Sequence, residues 1–355
     1  MIIFVLYDGI KNSVFDGQVL KPLENKVNNS QINDNHTKKA IIISFEKENI
    51  SQEYINQKLK DKKNIELIIL KRGPFIGKFK LIQDVFKLKK ILTNYKNYNL
   101  TARGPLAGFI CAKAANFTDL GSFTIQARGL VAQEYKYAGK KEKPIKKLLN
   151  ILRYYQFNNL EKSVYRKAHN LPKTKIEAVS FALKEYLIKS FGAKSEIIDI
   201  AQDDIPKNLD KNLISKWKIE IRNNLNITHE SIVYCYNGSI KAWQCPQEVI
   251  TFFKSCLNNK TVNKNIFLLI LTQDAKEFEN LIKKENIQTD LYLIKTVAHQ
   301  EIYKYLAACD YGIIFREESI VNWVSRPTKI LEYESVGLKI IHNNTVGLLK
   351  NREYN

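Results

Sequence analysis

Short runs of β-branched and aromatic residues alternate along this chain with longer stretches whose apolar positions recur every three or four residues. The first series of runs covers residues 2–7, 40–45, 65–70, 98–102, 122–126, 176–180 and 196–200, with helical patterns such as 81–92 and 106–115 between them. Strand–helix alternation predicts a parallel sheet covered by helices. The pattern then restarts, with runs at 232–236, 266–271, 291–294, 311–315 and 338–341 and helical stretches at 247–257, 276–285, 300–307 and 329–336. Between the two series lies a polar stretch, 202–211, that contains Pro206 and reads as a hinge. The expectation is an α/β protein of two doubly wound domains, 1–203 and 204–355, with ligands in a cleft at the carboxyl ends of the strands.

A length of 355 residues fits two domains, and 45% hydrophobic residues exclude a disordered chain. The 56 basic and 36 acidic residues leave a net charge of +20, which attracts nucleic acid, anionic lipid or phosphorylated small molecules. A lysine-rich surface with no partner would give the same balance. Two segments concentrate the charge. In 135–153, Ile145, Leu148, Leu149 and Leu152 recur at helical spacing, while Lys136, Lys140, Lys141, Lys143, Lys146, Lys147 and Arg153 fall mostly elsewhere. In 78–92, Leu81, Ile82, Val85, Leu88 and Leu92 form a stripe among five lysines. Each reads either as an ordinary surface helix or as a helix that adheres to an anionic bilayer.

Five cysteines form no C-x-x-C pair and read as free thiols, and five scattered histidines give no zinc pattern. Asp203-Asp204 falls in the expected hinge and is not read as a metal site. No stretch approaches ~20 apolar residues, so membrane contact is expected to be peripheral and the location cytoplasmic.

The richest chemistry lies in 316–337, which follows a strand and enters a helix. Ser325 or Thr328 can cap that helix, and Pro327 suits its first turn. A helix N-terminus favours phosphate, and Arg326 and Lys329 would add charge there. Glu332, one turn further, can accept hydrogen bonds from the two hydroxyls of a ribose.

The pattern P-x-K-x-x-E-Y-x-x-x-G, from Pro327 to Gly337, resembles the donor-binding motif of the bacterial glycosyltransferase family 4. Other segments agree in order. They are Tyr7-Asp8-Gly9 with Gly17-Gln18-Val19, Gln126-Ala127-Arg128-Gly129 with Glu134, Val179-Ser180 with Leu183, and Tyr236-Asn237-Gly238-Ser239 with Trp243. The resemblance implies two facing Rossmann-like domains of the GT-B kind. It also implies transfer with retention of configuration and a UDP- or GDP-linked sugar as substrate, without metal or other cofactor. Gly9, Gly238, Ser239, Arg326, Lys329 and Glu332 are then the donor-binding candidates, and Arg103, Arg128, Lys241 and Glu318 the catalytic ones. Arg128 could instead bridge loop carbonyls, and Lys241 could be a solvated lysine.

The sequence departs from the family pattern in three places. Val324 stands eight positions before Glu332, where many relatives carry a glutamate, and Glu317 or Glu318, further upstream, is expected to reach the donor sugar instead. Thr101 and Ala102 replace the histidine before Arg103. Gln126 or Ala127 replaces an aspartate before Arg128. The reading is sugar transfer to a lipid-linked or glycan acceptor at the inner face of the cell membrane, in assembly of lipopolysaccharide, capsule or a similar surface glycan. The alternatives are a basic nucleic-acid-binding protein and a degenerate, inactive relative. Only residues 343–355 follow the last strand, too few for another strand–helix pair and the helix that usually crosses back to the first domain. Neither Lys329 nor Glu332 is expected in the core.

Overall fold

The computed structural model describes residues 1–12, 15–33, 39–73, 78–138, 143–201, 209–258, 265–298 and 301–349. The chain divides into two compact units, Met1–Asp204 and Ile205–Asn355. The expected hinge lies largely outside the described residues, as do Asp203-Asp204 and Lys140 and Lys141.

In the first unit the elements run β1 (Ile2–Leu6), α1 (Lys21–Asn33), β2 (Ala40–Glu46), α2 (Gln52–Lys58), β3 (Ile65–Lys71), α3 (Lys78–Leu92) and β4 (Tyr98–Arg103). They continue with α4 (Gly104–Ala114), β5 (Leu120–Ala127), α5 (Val131–Ala138), α6 (Pro144–Lys167), β6 (Thr174–Ala178), α7 (Phe181–Phe191) and β7 (Ile198–Ile200). All pairings are parallel, in the order β3-β2-β1-β4-β5-β6-β7. Alternation along β1 and β2 sends Phe4, Leu6, Ala40 and Ile42 into one apolar cluster with Val19, Leu23 and Val27. Ile3, Val5, Ile41 and Ile43 are equally buried, and alternation puts them on the opposite face. Ser180 begins α7 as its cap, accepting from Leu183 N at 3.0 Å.

The second unit comprises α8 (Lys211–Asn224), β8 (Ile232–Asn237), α9 (Pro246–Asn258), β9 (Ile266–Leu271), α10 (Ala275–Lys284) and β10 (Tyr292–Lys295). It ends with α11 (Ile302–Ala307), β11 (Tyr311–Ile314), α12 (Ile320–Val324), α13 (Thr328–Ser335) and β12 (Lys339–His342). The parallel order is β10-β9-β8-β11-β12. Val233, Cys235, Leu269 and Leu271 enter one core cluster, and their neighbours Tyr236, Leu268 and Ile270 the other. The sheet is therefore apolar on both faces, as continuous hydrophobic runs require.

α8 is absent from the expected helical stretches, although its Ile214, Trp217, Ile221 and Leu225 recur at helical spacing and pack on the core. Its anchor is Arg222, 1% exposed. The guanidinium donates to Ala308 O, His229 O and Ser231 O at 2.8–3.1 Å, and to Asp310 Oδ2 at 2.8 Å. Asp310 also accepts from Val233 N and Lys218 Nζ. One ion pair thus ties α8 to the starts of β8 and β11.

Gly312 in β11 has no room for a side chain. A Cβ there would lie 2.6 Å from two ring carbons of the fully buried Tyr333 and nearer still to a third. Gly312→Ala is expected to cost about 1–3 kcal/mol, the usual range for overpacking a core. A lower denaturant midpoint at unchanged slope would show it.

Candidate functional site

In each unit the strand order reverses beside the first strand, between β1 and β4 and between β8 and β11. Loops from two adjacent strands diverge there, which leaves a crevice at their carboxyl ends. The sequence-derived residues collect around these two points.

In the second unit, β8 ends at Asn237 and leads into Gly238 and Ser239. Gly238 N donates to Leu271 O at 3.0 Å. A Cβ on Gly238 would fall 2.7 Å from both Gln244 Oε1 and the Tyr236 hydroxyl, and closer to Lys329 Nζ. Any side chain at this position would have to push these groups aside. Lys329, on the first turn of α13, donates to Gln244 Oε1 at 2.6 Å, and its ammonium stands 5.5 Å from the Tyr236 ring centroid. Gln244 in turn donates to Ser239 Oγ at 2.7 Å. Glu332, one turn along α13, accepts from Asn237 Nδ2 at 2.9 Å, and the neighbouring Tyr333 hydroxyl accepts from Asn237 N at 3.0 Å.

Arg316 follows β11, its backbone held by Asn343 through bonds of 3.2 and 2.8 Å. Burial lowers the pKa of its guanidinium. Burial first, and repulsion from Arg316 second, push the Lys329 ammonium down to about 7, with Glu332 only partly opposing. The Lys329 ammonium thus feels one cation, Arg316, and one carboxylate, Glu332. An anion arriving beside it would relieve both the desolvation and the repulsion.

Lys329 and Glu332 are half-buried, with the Lys329 ammonium against Gln244 and the Tyr236 ring. One sequence expectation changes here. The cap of α13 is Pro327, without a side-chain hydrogen bond. Ser325 closes α12 instead, donating its hydroxyl to Asn322 O at 2.8 Å, and Thr328 is already helical.

The remaining candidates are placed less centrally. Lys241 is exposed, with its ammonium 5.0 Å from the Trp243 ring centroid. Glu318 is exposed in the loop before α12, and Arg326 is half-buried just before Pro327.

In the first unit, Gly9 follows β1 with φ +87°, and a Cβ there would lie 2.9 Å from Glu46 Oε2. Ile10 N donates to that same carboxylate at 2.9 Å. Arg103, at the end of β4, donates to Asp8 Oδ2 at 3.1 Å and Gln18 Oε1 at 2.7 Å. Tyr7, Asp8, Gly9, Glu46 and Arg72 line a pocket here, with Arg72 stacked 4.2 Å from the Tyr7 ring centroid. Arg128 lies one strand away, beyond β5, where it pairs with Glu177 at 4.0 Å. Buried Glu161 of α6 accepts from Val131 N and Ala132 N at the start of α5.

Sequence reasoning missed Arg316, Gln244 and Glu46. Arg316 had a usable signal, a basic residue directly after the strand at the switch point. Gln244 and Glu46 had none, since only the fold brings them to the glycines. Among the described residues no group of three or more His, Cys, Asp or Glu side chains is gathered as a metal site, and no helix is long and apolar enough to cross a membrane.

In sequence, no family model and no curated protein matches the chain. In structure it is similar to several glycosyltransferases of the GT-B fold. A glycosyltransferase from Rickettsia africae superposes with a TM-score of 0.63 at 14% identity, over 99% of this chain and 81% of that one. Anabaena HepE, solved with UDP and glucose, gives 0.61 at 13%, over 99% and 83%. WaaG, a glycosyltransferase of lipopolysaccharide biosynthesis, gives 0.59 at 13%, over 98% and 82%. The likeness establishes an α/β fold of two Rossmann-like units.

Proposed function

We propose that this protein is a glycosyltransferase that takes its sugar from a nucleoside-diphosphate donor bound at the β8/β11 switch point of the second unit. The observation that carries the reading is the geometry of the β8/β11 switch point, where the Lys329 ammonium lies over Gly238, Glu332 meets Asn237 one turn along, and Arg316 follows β11. A diphosphate supplies the missing negative charge. Lys329, Arg316 and Arg326 bind it, Gly238 and Ser239 let the backbone approach, and Glu332 accepts from the ribose hydroxyls. The similarity to a transferase solved with UDP supports this choice of ligand.

In the reaction, the bond from the anomeric carbon to the β-phosphate oxygen breaks with its electron pair on the leaving diphosphate. An acceptor hydroxyl bonds to that carbon on the same face, and its proton passes to the leaving phosphate. Arg316 and Lys329 stabilise the charge as it develops, so side chains do what a divalent cation does elsewhere. Lys241 and Glu318 serve the donor sugar from the rim, Arg103 and Arg128 serve the acceptor or the transferred sugar, and Gly9 lets the backbone approach the donor. The donor is UDP- or GDP-linked, and the acceptor a lipid-linked or glycan chain of a surface polysaccharide, met at the cytoplasmic face of a membrane.

Thermal-shift screening against UDP, GDP, ADP and CDP tests the reading, since a ligand bound only by the native state raises its melting temperature. Glu332→Gln is expected to weaken the preferred nucleotide by about 1.5–3 kcal/mol in calorimetric titration, the range for a hydrogen bond to a charged group. Tight, steeply salt-dependent binding of DNA with no response to any nucleotide would overturn the proposal.

A further inference from the structure

The sequence stripe of α6 invites the view that its apolar side packs inward. The structure reverses this for the first half of the helix. Ile145, Leu148, Leu149, Ile151, Leu152 and Tyr155 are 41–79% exposed. The opposite side makes the contacts. Phe157 stacks on Tyr135 of α5 at 5.0 Å, Arg153 stands over the same ring, and Lys136 of α5 stands over Tyr154. Only further along does α6 enter the core, through Glu161, Val164 and Tyr165.

At about 100° per residue the six exposed side chains cover about 160° of the helix surface. Lys147 borders one edge of this band, and Lys146 and Arg153 the other. No acidic residue occurs from 143 to 160. In the same helical layer, where α3 packs on α4 and α4 on α6, α3 exposes Ile82 and Phe86 beside Lys87, Lys89 and Lys90.

We infer that the first half of α6 is the element by which this protein docks on an anionic lipid bilayer. The helix lies in the interface, its apolar band among the acyl chains and its lysines reaching the headgroups. The flanking charge selects this occupant. A second copy meeting the same face about a two-fold axis would set lysine against lysine, whereas an anionic surface neutralises both edges. The inference deepens the membrane-side reading of the proposed function and needs nothing from the donor site.

The test is co-sedimentation of the full chain with vesicles of phosphatidylcholine alone or mixed with phosphatidylglycerol, at low and high salt. The wild type should pellet with the mixed vesicles and be released by salt. Leu148→Ser with Leu152→Ser should lower the partition at least about tenfold, and Lys146→Glu with Lys147→Glu should abolish the preference for anionic lipid. Both pairs should keep the wild-type melting temperature and nucleotide affinity, so a failure here is distinct from failure of the donor site. Equal binding to both vesicle types without a salt effect would overturn the inference. So would serine variants that pellet like the wild type, or a solution dimer that the serine variants dissociate.

Discussion

Arg316→Ala combined with Lys329→Ala should lose two to four orders of magnitude in affinity for the nucleoside diphosphate, at about 1.5–3 kcal/mol for each charge-assisted contact. Affinity for the bare nucleoside should barely change, because both cations address phosphate. The single variants should not add up to the double. Arg316 holds the Lys329 ammonium down by repulsion, so removing Arg316 lets Lys329 stay protonated to higher pH and recover part of the loss. In the wild type, diphosphate affinity should fall as pH rises through about 7, where the free Lys329 gives up its proton. In Arg316→Ala that fall should move to higher pH. Calorimetry in buffers of different ionisation enthalpy would also register proton uptake on binding near neutral pH. Equal losses for diphosphate and nucleoside would place the phosphate elsewhere.

The second large effect concerns stability, and its sign is opposite. Lys329 titrates near 7 in the folded protein against an ordinary 10.5. Between those values the unfolded chain holds a proton that the native state has shed, so stability rises with pH across the window. Below about 7 both states are charged and the whole burial cost is present. Lys329→Met removes the charge and keeps the apolar stem. Gln244 Oε1 can regain a partner if the Tyr236 hydroxyl, 3.2 Å away, turns its one proton from Ser239 O, to which it donates at 2.8 Å. The variant should therefore be more stable than the wild type by a few kcal/mol at pH 6, while its diphosphate affinity collapses. The gain should shrink steadily above neutrality and vanish near 10.5. A variant less stable than the wild type at pH 6 would show that the ammonium is well solvated.

Much of the fold was legible because parallel strands buried on both faces must be continuously apolar. β9 lies within the run seen at 266–271, and most other strands differ from their runs by one or two residues. Two helices were only partly legible. α8 carries Ile214, Trp217 and Ile221 at helical spacing against the core, but no hydrophobic period announces its buried guanidinium, Arg222. The first half of α6 shows its apolar face to solvent, and periodicity says that a helix has a face without saying what meets it. At the candidate site, Lys329 and Glu332 of α13 could be read from their spacing along one turn, and Gly9 and Gly238 from the resemblance to family 4. Gln244 and Arg316 could not be joined to them in that way, since their proximity to Lys329 depends on which strands lie side by side. Ser325 misled because two short helices meet there, and its hydroxyl serves the end of the first.

Arg222 also decides where the chain can be cut. A fragment opened at β8 would keep every strand of the second sheet and still lack the cation that gathers the carbonyls of Ala308, His229 and Ser231. Asp310 would remain at the head of β11, with its amide partner Val233 but without either of its positive neighbours. An excised second unit therefore has to start upstream of α8, because a boundary drawn by strands alone would strip Asp310 and three carbonyls of their cationic partners.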